Sequence, residues 1–284
     1  MQYYQFDFTG LQEGQADILV ALLANAGFTG FEEQEQRLSA CIAADDLDDV
    51  AFDQIIAANP VTFNKTVIDE INWNAKWEAD FEAVTIPDPV TLMPFATIRA
   101  GFHQPEHRLI HDIIVTPKMS FGTGHHATTF LMVQQMSQLV FEDKTVIDFG
   151  TGTGVLAILA EKMGAARIIA IDNDEWSINN VKENIAANDC NRIAVVQADE
   201  LQIPDKAAII LANINLNVIT ANINGIVAVC EDGADILFSG IMLADEPEIL
   251  RVLADNFIEV LQVHRRDNWL AIEAKSNGTH ELID

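Results

Sequence analysis

Basic residues are scarce in this chain: 16 lysines and arginines face 43 aspartates and glutamates, a formal charge of −27 at pH 7. That imbalance removes the broad positive surface by which proteins gather on nucleic acid or anionic lipid, and it favours basic partners. Cysteine is scarcer still. Cys41, Cys190 and Cys230 are odd in number, far apart and without CxxC spacing, which excludes a disulfide framework and offers no zinc set. Long apolar runs are missing as well. No stretch approaches the roughly 20 residues that span a bilayer, and the opening MQYYQFDF lacks the basic-then-apolar order of a signal peptide. The expectation is a cytoplasmic protein with no membrane contact, no metal and no direct sequence-specific nucleic-acid contact. Its 284 residues, 49% of them hydrophobic, suffice for one large domain or a medium and a small one, and for a stable monomer.

Periodicity divides the chain. Residues 1–68 read as strand (QYYQFDF), helix (Glu13 to Ala26), a glycine-punctuated strand pair (Gly27 to Ala43), helix (Leu47 to Ala58) and strand (VTFNKTVI). That βαββαβ order predicts a small α+β ferredoxin-like domain. A linker is expected over 69–90, where Trp73, Trp77 and Phe81 share one helical face and Pro87, Pro89 and Pro94 then stiffen an extended run. Over 91–284, apolar strands (TVIDFG, RIIAID, IAVVQAD, AAIILANI, DILFSG) alternate with helical stretches such as WSINNVKENIAAN, whose Ile178, Val181 and Ile185 lie on one side. The alternation predicts an α/β domain, a parallel sheet wrapped by helices with ligands at the carboxyl ends of its strands. The tail, NFIEVLQVHRRDNWLAIEAK, reads as a closing antiparallel hairpin.

Gly150, Gly152 and Gly154 follow the first of these strands as GxGxG, letting the backbone turn sharply and approach a ligand. The dinucleotide fingerprint GxGxxG would need a third glycine at Val155, and a triphosphate loop would need a lysine that this turn lacks. The second strand ends in Asp172, 22 residues after Gly150, where a carboxylate can accept from both ribose hydroxyls. The third ends in Asp199 and Glu200, either of which can meet an exocyclic amine of adenine. The fourth ends in Asn213, whose amide and neighbouring carbonyls suit an amino group, or which caps the following helix. Acidic contacts for ribose and adenine, with Gly150 and Gly152 against an amino acid portion, describe a site for S-adenosylmethionine.

Upstream stands MSFGTGHHATT, residues 119–129. His125 and His126 are adjacent, so on a helix or strand they diverge, unlike metal-binding pairs. The stretch reads instead as a loop and helix entry over the cofactor site, Thr128 or Thr129 opening the helix ATTFLMVQQMSQLV, with Phe130, Val133, Met136 and Val140 near one face. MSFGTGHHATT, then VIDFGTGTGVLAILAEKMGA, IAIDND, LANI and SGIM, resembles the PrmA family, the methyltransferases of large-subunit ribosomal protein L11. The resemblance covers about 110–272 closely and includes the tryptophan-bearing linker. It implies a Rossmann-like, seven-stranded class I S-adenosylmethionine-dependent methyltransferase domain after the small domain. It also implies cofactor contacts at Thr129, Gly150, Asp172 and Asn213, and methyl transfer to the N-terminal α-amine and lysine side chains of L11, a basic substrate captured by the small domain. The chain departs from the family pattern at Thr116-Pro117-Lys118, at Gly124-His125-His126-Ala127 and at Thr151-Gly152-Thr153.

For such transfer Asn213 and its neighbouring carbonyls orient the amine, and the loop Phe121-Gly122-Thr123-Gly124, with Phe121 foremost, closes over the methyl group. No residue stands out as a general base. Two alternatives share these motifs: methyl transfer to another protein or to a nucleic-acid amine, and a non-catalytic nucleotide-binding module.

Overall fold

The computed structural model describes residues 2–12, 15–34, 37–69, 81–105, 111–116 and 124–277. The chain divides into two compact units, Met1–Lys76 and Trp77–Asp284.

The first unit runs β1 (Gln2–Thr9), α1 (Gln15–Asn25), β2 (Thr29–Gln34), β3 (Arg37–Ala43), α2 (Asp49–Ala58) and β4 (Thr62–Asp69). Among the described residues its strands pair in the order β2-β3-β1-β4, every neighbour antiparallel. Alternation along β1 sends Phe6 and Phe8 to one face, where they are buried with Phe28 and Phe52. Phe6 and Phe52 lie 4.5 Å apart between ring centroids. The second helix starts at Asp49 because Asp48 caps it, its carboxylate accepting from the amides of Val50 and Ala51 at 3.0 Å each.

The second unit opens with β5 (Val84–Pro87), β6 (Pro94–Ala100) and β7 (His111–Val115), which pair as a three-stranded sheet. After α3 (Ala127–Met136) follow β8 (Thr145–Phe149), α4 (Val155–Lys162), β9 (Arg167–Asp172), α5 (Glu175–Ala187), β10 (Ile193–Gln197), β11 (Ala207–Asn213) and α6 (Leu216–Val229). The unit continues through β12 (Cys230–Met242), α7 (Glu246–Asp255), β13 (Ile258–Arg266) and β14 (Trp269–Ser276). Among the described residues seven of these strands pair in the order β10-β9-β8-β11-β12-β14-β13, parallel from β10 to β12 and antiparallel on both sides of β14. The expected closing hairpin is therefore β13 and β14. The central strands are continuously apolar because both faces are covered. Val146, Ile168 and Leu211 join one core, and Ile147, Ile169 and Ile210 the other.

Three details differ from the sequence reading. The helix expected over 127–140 stops at Met136, where Ser137 donates back to the Gln134 carbonyl at 2.7 Å and tighter turns follow, so Val140 lies beyond the helix and is exposed. Thr128 and Thr129 do not open that helix; His126 does, its Nδ1 accepting from the Thr128 amide at 3.4 Å. The expected linker overlaps β5, which pairs with β6 and places Ile86 in the core. Trp73 and Trp77 lie outside the described residues, while Phe81 is buried against the rings of His103 and His125.

The three-stranded sheet carries a partly buried ion pair. Arg99 on β6 is almost enclosed and meets Asp112 on β7 through two bonds of 2.7 Å, while its remaining nitrogen donates to the carbonyls of Ala100 and His103. Removing the carboxylate leaves two donors of a largely enclosed guanidinium without their partner. Asp112→Ala is expected to lower unfolding free energy by about 2–4 kcal/mol in urea titration, and a loss below about 0.5 kcal/mol, the size of an ordinary surface change, would contradict this account.

Candidate functional site

Strand order reverses between β8 and β11, and there the carboxyl ends of β8, β9, β10 and β11 surround a cavity of about 480 Å³. Crevices at such reversals are where open α/β sheets bind ligands, and this one is within the usual range for a small molecule. Gly150, Gly152, Asp172, Asp199 and Asn213 all line it. Thr129 is not on its wall, and Phe121, Gly122 and Thr123 lie outside the described residues.

The glycine turn is drawn against the sheet by its own amides. Gly150 and Thr151 both donate to the Ile171 carbonyl, at 2.8 and 2.9 Å. Gly150 has φ +77°, and a Cβ there would stand 2.2 Å from Ile214 Cγ2. The Gly152 amide donates to Asp172 Oδ2 at 2.9 Å and the Asp174 amide to Oδ1 at 3.1 Å. The Asp172 carboxylate is thus aimed by backbone, with lone pairs left for a ligand. Asp199 is exposed just past the carboxyl end of the neighbouring β10, and Glu200 turns instead to Gln202.

Asp148 lies beneath the turn, fully buried. Its Oδ2 accepts from the Thr151 hydroxyl at 2.6 Å and the Ala157 amide at 3.2 Å, and its Oδ1 has no hydrogen-bond partner among the described residues. Burial pushes its pKa up to about 7, against the two hydrogen bonds that favour the ionised form, with the nearby Asp172 charge adding to the rise.

At the mouth of β11 the two readings of Asn213 separate. The cap of α6 is Asn215, whose Oδ1 accepts from the Val218 amide at 3.1 Å. Asn213 is therefore released for the cavity. Its Nδ2 donates to the hydroxyl of Thr129 at 3.3 Å, and its Oδ1 is buried with no partner among the described residues. Thr129, itself buried, thus reaches the cavity through Asn213. An unfilled acceptor of this kind is destabilising unless a ligand completes it.

The two histidines serve the fold. His126 caps α3 and packs edge-on against Trp269 at 4.7 Å, with burial lowering its pKa, and His125 packs edge-on against Phe81 at 4.9 Å. Among the described residues no three His, Cys, Asp or Glu side chains gather as a metal-ligand set. Sequence reasoning missed Gly240 and Trp269 on the cavity wall. Gly240 ends the strand DILFSG and so had a positional signal. Trp269 starts the last strand of the tail hairpin, whose place beside β12 no local pattern reveals.

Comparison with known proteins matches this arrangement to methyltransferases. The larger unit has the mixed α/β sheet of class I methyltransferases. A solved ribosomal protein L11 methylase from Lactobacillus delbrueckii subsp. bulgaricus is 28% identical with a TM-score of 0.58, covering 63% of this chain and 93% of its own. A tRNA m1G37 methyltransferase of M. jannaschii, 12% identical with a TM-score of 0.50 over 97% of this chain and 100% of its own, shares the fold alone. Proteins named ribosomal protein L11 methyltransferase are similar along their length: that of Bacteroides thetaiotaomicron is 33% identical over 282 residues, 96% of this chain and 99% of the relative. That of Chlorobaculum parvum is 34% identical over 277 residues, 92% of this chain and 93% of the relative. The family model described as ribosomal protein L11 methyltransferase (PrmA) matches residues 15–277, and the chain belongs to that family.

Proposed function

We propose that this protein transfers methyl groups from S-adenosylmethionine to the N-terminal α-amine and lysine side chains of ribosomal protein L11. The observation that carries the reading is the unpartnered Oδ1 of Asn213 at the cavity wall. It is an acceptor without a donor among the described residues, on a residue that lines the same cavity as Asp172.

The residues present fit the cofactor. Asp172 would accept from ribose, Asp199 from the adenine amine, and the turn at Gly150 and Gly152, where no Cβ stands, would take the amino acid portion. When bound, S-adenosylmethionine supplies an electrophilic methyl group on a sulfonium. Asn213 Oδ1 accepts a hydrogen from the incoming amine and points its lone pair, while Thr129 holds the Asn213 amide from the other end. A lysine amine, with an ordinary pKa of about 10.4, must lose a proton first, whereas an α-amine at about 7.7–8.0 is nearly ready. Phe121 and its loop are assigned to closing over the methyl group.

The small unit is proposed to capture the substrate. Its strand order supports a ferredoxin-like assignment for residues 1–68; of the linker expected over 69–90, β5 (Val84–Pro87) goes instead with the catalytic unit that holds 91–284. The surplus of acidic residues suits a basic protein partner and disfavours nucleic acid. A cytoplasmic monomer belongs to the same reading, and among the described residues no helix is long and apolar enough to cross a membrane.

Incubation of unmodified L11 with this protein and S-adenosylmethionine is expected to add mass in steps of about 14 Da, one methylene each. Peptide mapping then names the amines, and no gain despite cofactor binding would move the search to another protein or to a nucleic-acid amine. Asp172→Ala is expected to weaken binding of S-adenosylhomocysteine roughly 10- to 100-fold, the range of hydrogen bonds to a charged group, and titration calorimetry at unchanged affinity would count against the ribose assignment. Asn213→Ala should lower kcat by about 10²-fold through loss of orientation with little change in that affinity; a loss confined to cofactor binding would instead favour a role on the donor.

Asp148 sets a pH dependence. Its folded pKa is raised above the ordinary carboxyl value, so its contribution to stability is complete at low pH and is lost as pH rises through about 7. Asp148→Asn imitates the protonated form. Near pH 4 the variant should match the parent, and by pH 8 it should be more stable by roughly 1–4 kcal/mol. Thermal unfolding at the two pH values checks this, and a difference independent of pH would refute it.

A further inference from the structure

Helix α5 buries two asparagines beside its apolar stripe: Asn180 and Asn184 are both fully enclosed, next to Ile178 and Val181. A primary amide destabilises such a position unless its hydrogen bonds are made. Those of Asn184 are made, and their partners lie on two elements far apart in the chain.

One partner is β7, an outer strand of the three-stranded sheet. Asn188, at the C-terminal cap of α5, closes two bonds on one residue of that strand: Oδ1 accepts from Ile114 N at 2.9 Å and Nδ2 donates to Ile114 O at 2.6 Å. Asn184 repeats the contact two residues along, its Oδ1 accepting from Thr116 N at 2.8 Å. Four helical residues rise about 6 Å and two strand residues about 6.6 Å, so amides at 184 and 188 meet alternate peptides of β7 in register.

The other partner is the glycine turn. Asn184 Nδ2 donates to the Thr153 carbonyl at 2.8 Å, and also to Asn180 Oδ1 at 3.2 Å. The turn is held on its other side where Asp172 accepts from Gly152 N. Thr153 is itself fully buried, so its carbonyl has no access to solvent water as a substitute.

We infer that Asn184 is a positioning residue for the methyl-donor site: by joining the Thr153 carbonyl to the Thr116 amide, it sets the 150–154 turn against Asp172. It touches no ligand; it acts through Gly152 and Asp172. The inference rests on the donor site proposed above. Asn188 makes the same kind of contact with β7 but none with the turn, and it is the natural control.

The test measures S-adenosylhomocysteine affinity by titration calorimetry, and thermal unfolding, on the full-length protein and two variants. Asn184→Asp keeps the acceptor for Thr116 and removes the donor to Thr153. Asn188→Ala removes the pair on Ile114 and leaves Thr153 alone. Both variants should unfold at lower temperature. Asn184→Asp should bind roughly tenfold more weakly, one hydrogen bond's worth, and Asn188→Ala within about twofold of the parent. In the methylation assay Asn184→Asp should raise KM for the donor and leave kcat at saturating donor unchanged. If Asn184→Asp does not fold, Asn184→Ser, whose shorter side chain cannot span both partners, takes its place with the same thresholds. Affinity within twofold of the parent at position 184, or an equal loss at position 188, overturns the inference while the donor site stands. Failure of the parent itself to bind overturns the donor site, and the inference with it.

Discussion

The carboxyl ends of β8 and β11 approach so closely that Gly150 has no room for a side chain, its Cβ position lying 2.2 Å from Ile214 Cγ2. From the far side Gly240 does the same, since a Cβ there would stand 2.6 Å from the Ile214 carbonyl oxygen. Ile214 is therefore clasped between Gly150, just past β8, and Gly240 in β12, the two strands that flank β11, and its amide is fastened to the Ser239 carbonyl at 3.1 Å. The residue before it, Asn213, is the last of β11 and is still paired with β12 opposite Ser239. The open crevice, the aim of the acceptor and the turn into α6 all follow from that clasp.

The charge around the crevice has one sign. Asp172 and Asp199 line it, Asp148 lies beneath, and among the described lining residues there is no lysine, arginine or histidine. Such a wall repels phosphate and favours a ligand that carries positive charge, as a sulfonium and an amine do. Burial raises the pKa of Asp148 to about 7, and the Asp172 charge adds a smaller part of the rise.

Much of this was legible in sequence because the signals are local. Strand runs such as RIIAID and AAIILANI are apolar throughout because both faces are covered, and the residues that end them, Asp172 and Asn213, stand at the mouths of their strands. The β5 to β7 sheet was not legible: VTIP and PFATIRA are punctuated by Pro87 and Pro94, and Arg99 reads as a surface residue until Asp112 is set beside it. Nor was Thr129 legible as a residue at one remove from the cavity, because its bond to Asn213 joins positions distant in the chain. The helix cap at His126 was missed for a chemical reason: an imidazole accepts through a ring nitrogen only in one tautomer, so histidine is a less expected cap than threonine.

Strand β14 lies between β12 and β13, so the last strand among the described residues occupies an interior position in the sheet. During synthesis β12 has no neighbour on that side until residues 269–276 have emerged, and the seven-stranded order cannot close one strand at a time in chain order. Trp269, which completes the cavity wall, arrives with that strand. Closure of the seven-stranded sheet therefore waits by topology for residues 269–276, and until then β12 is an exposed edge that a partner chain can pair with.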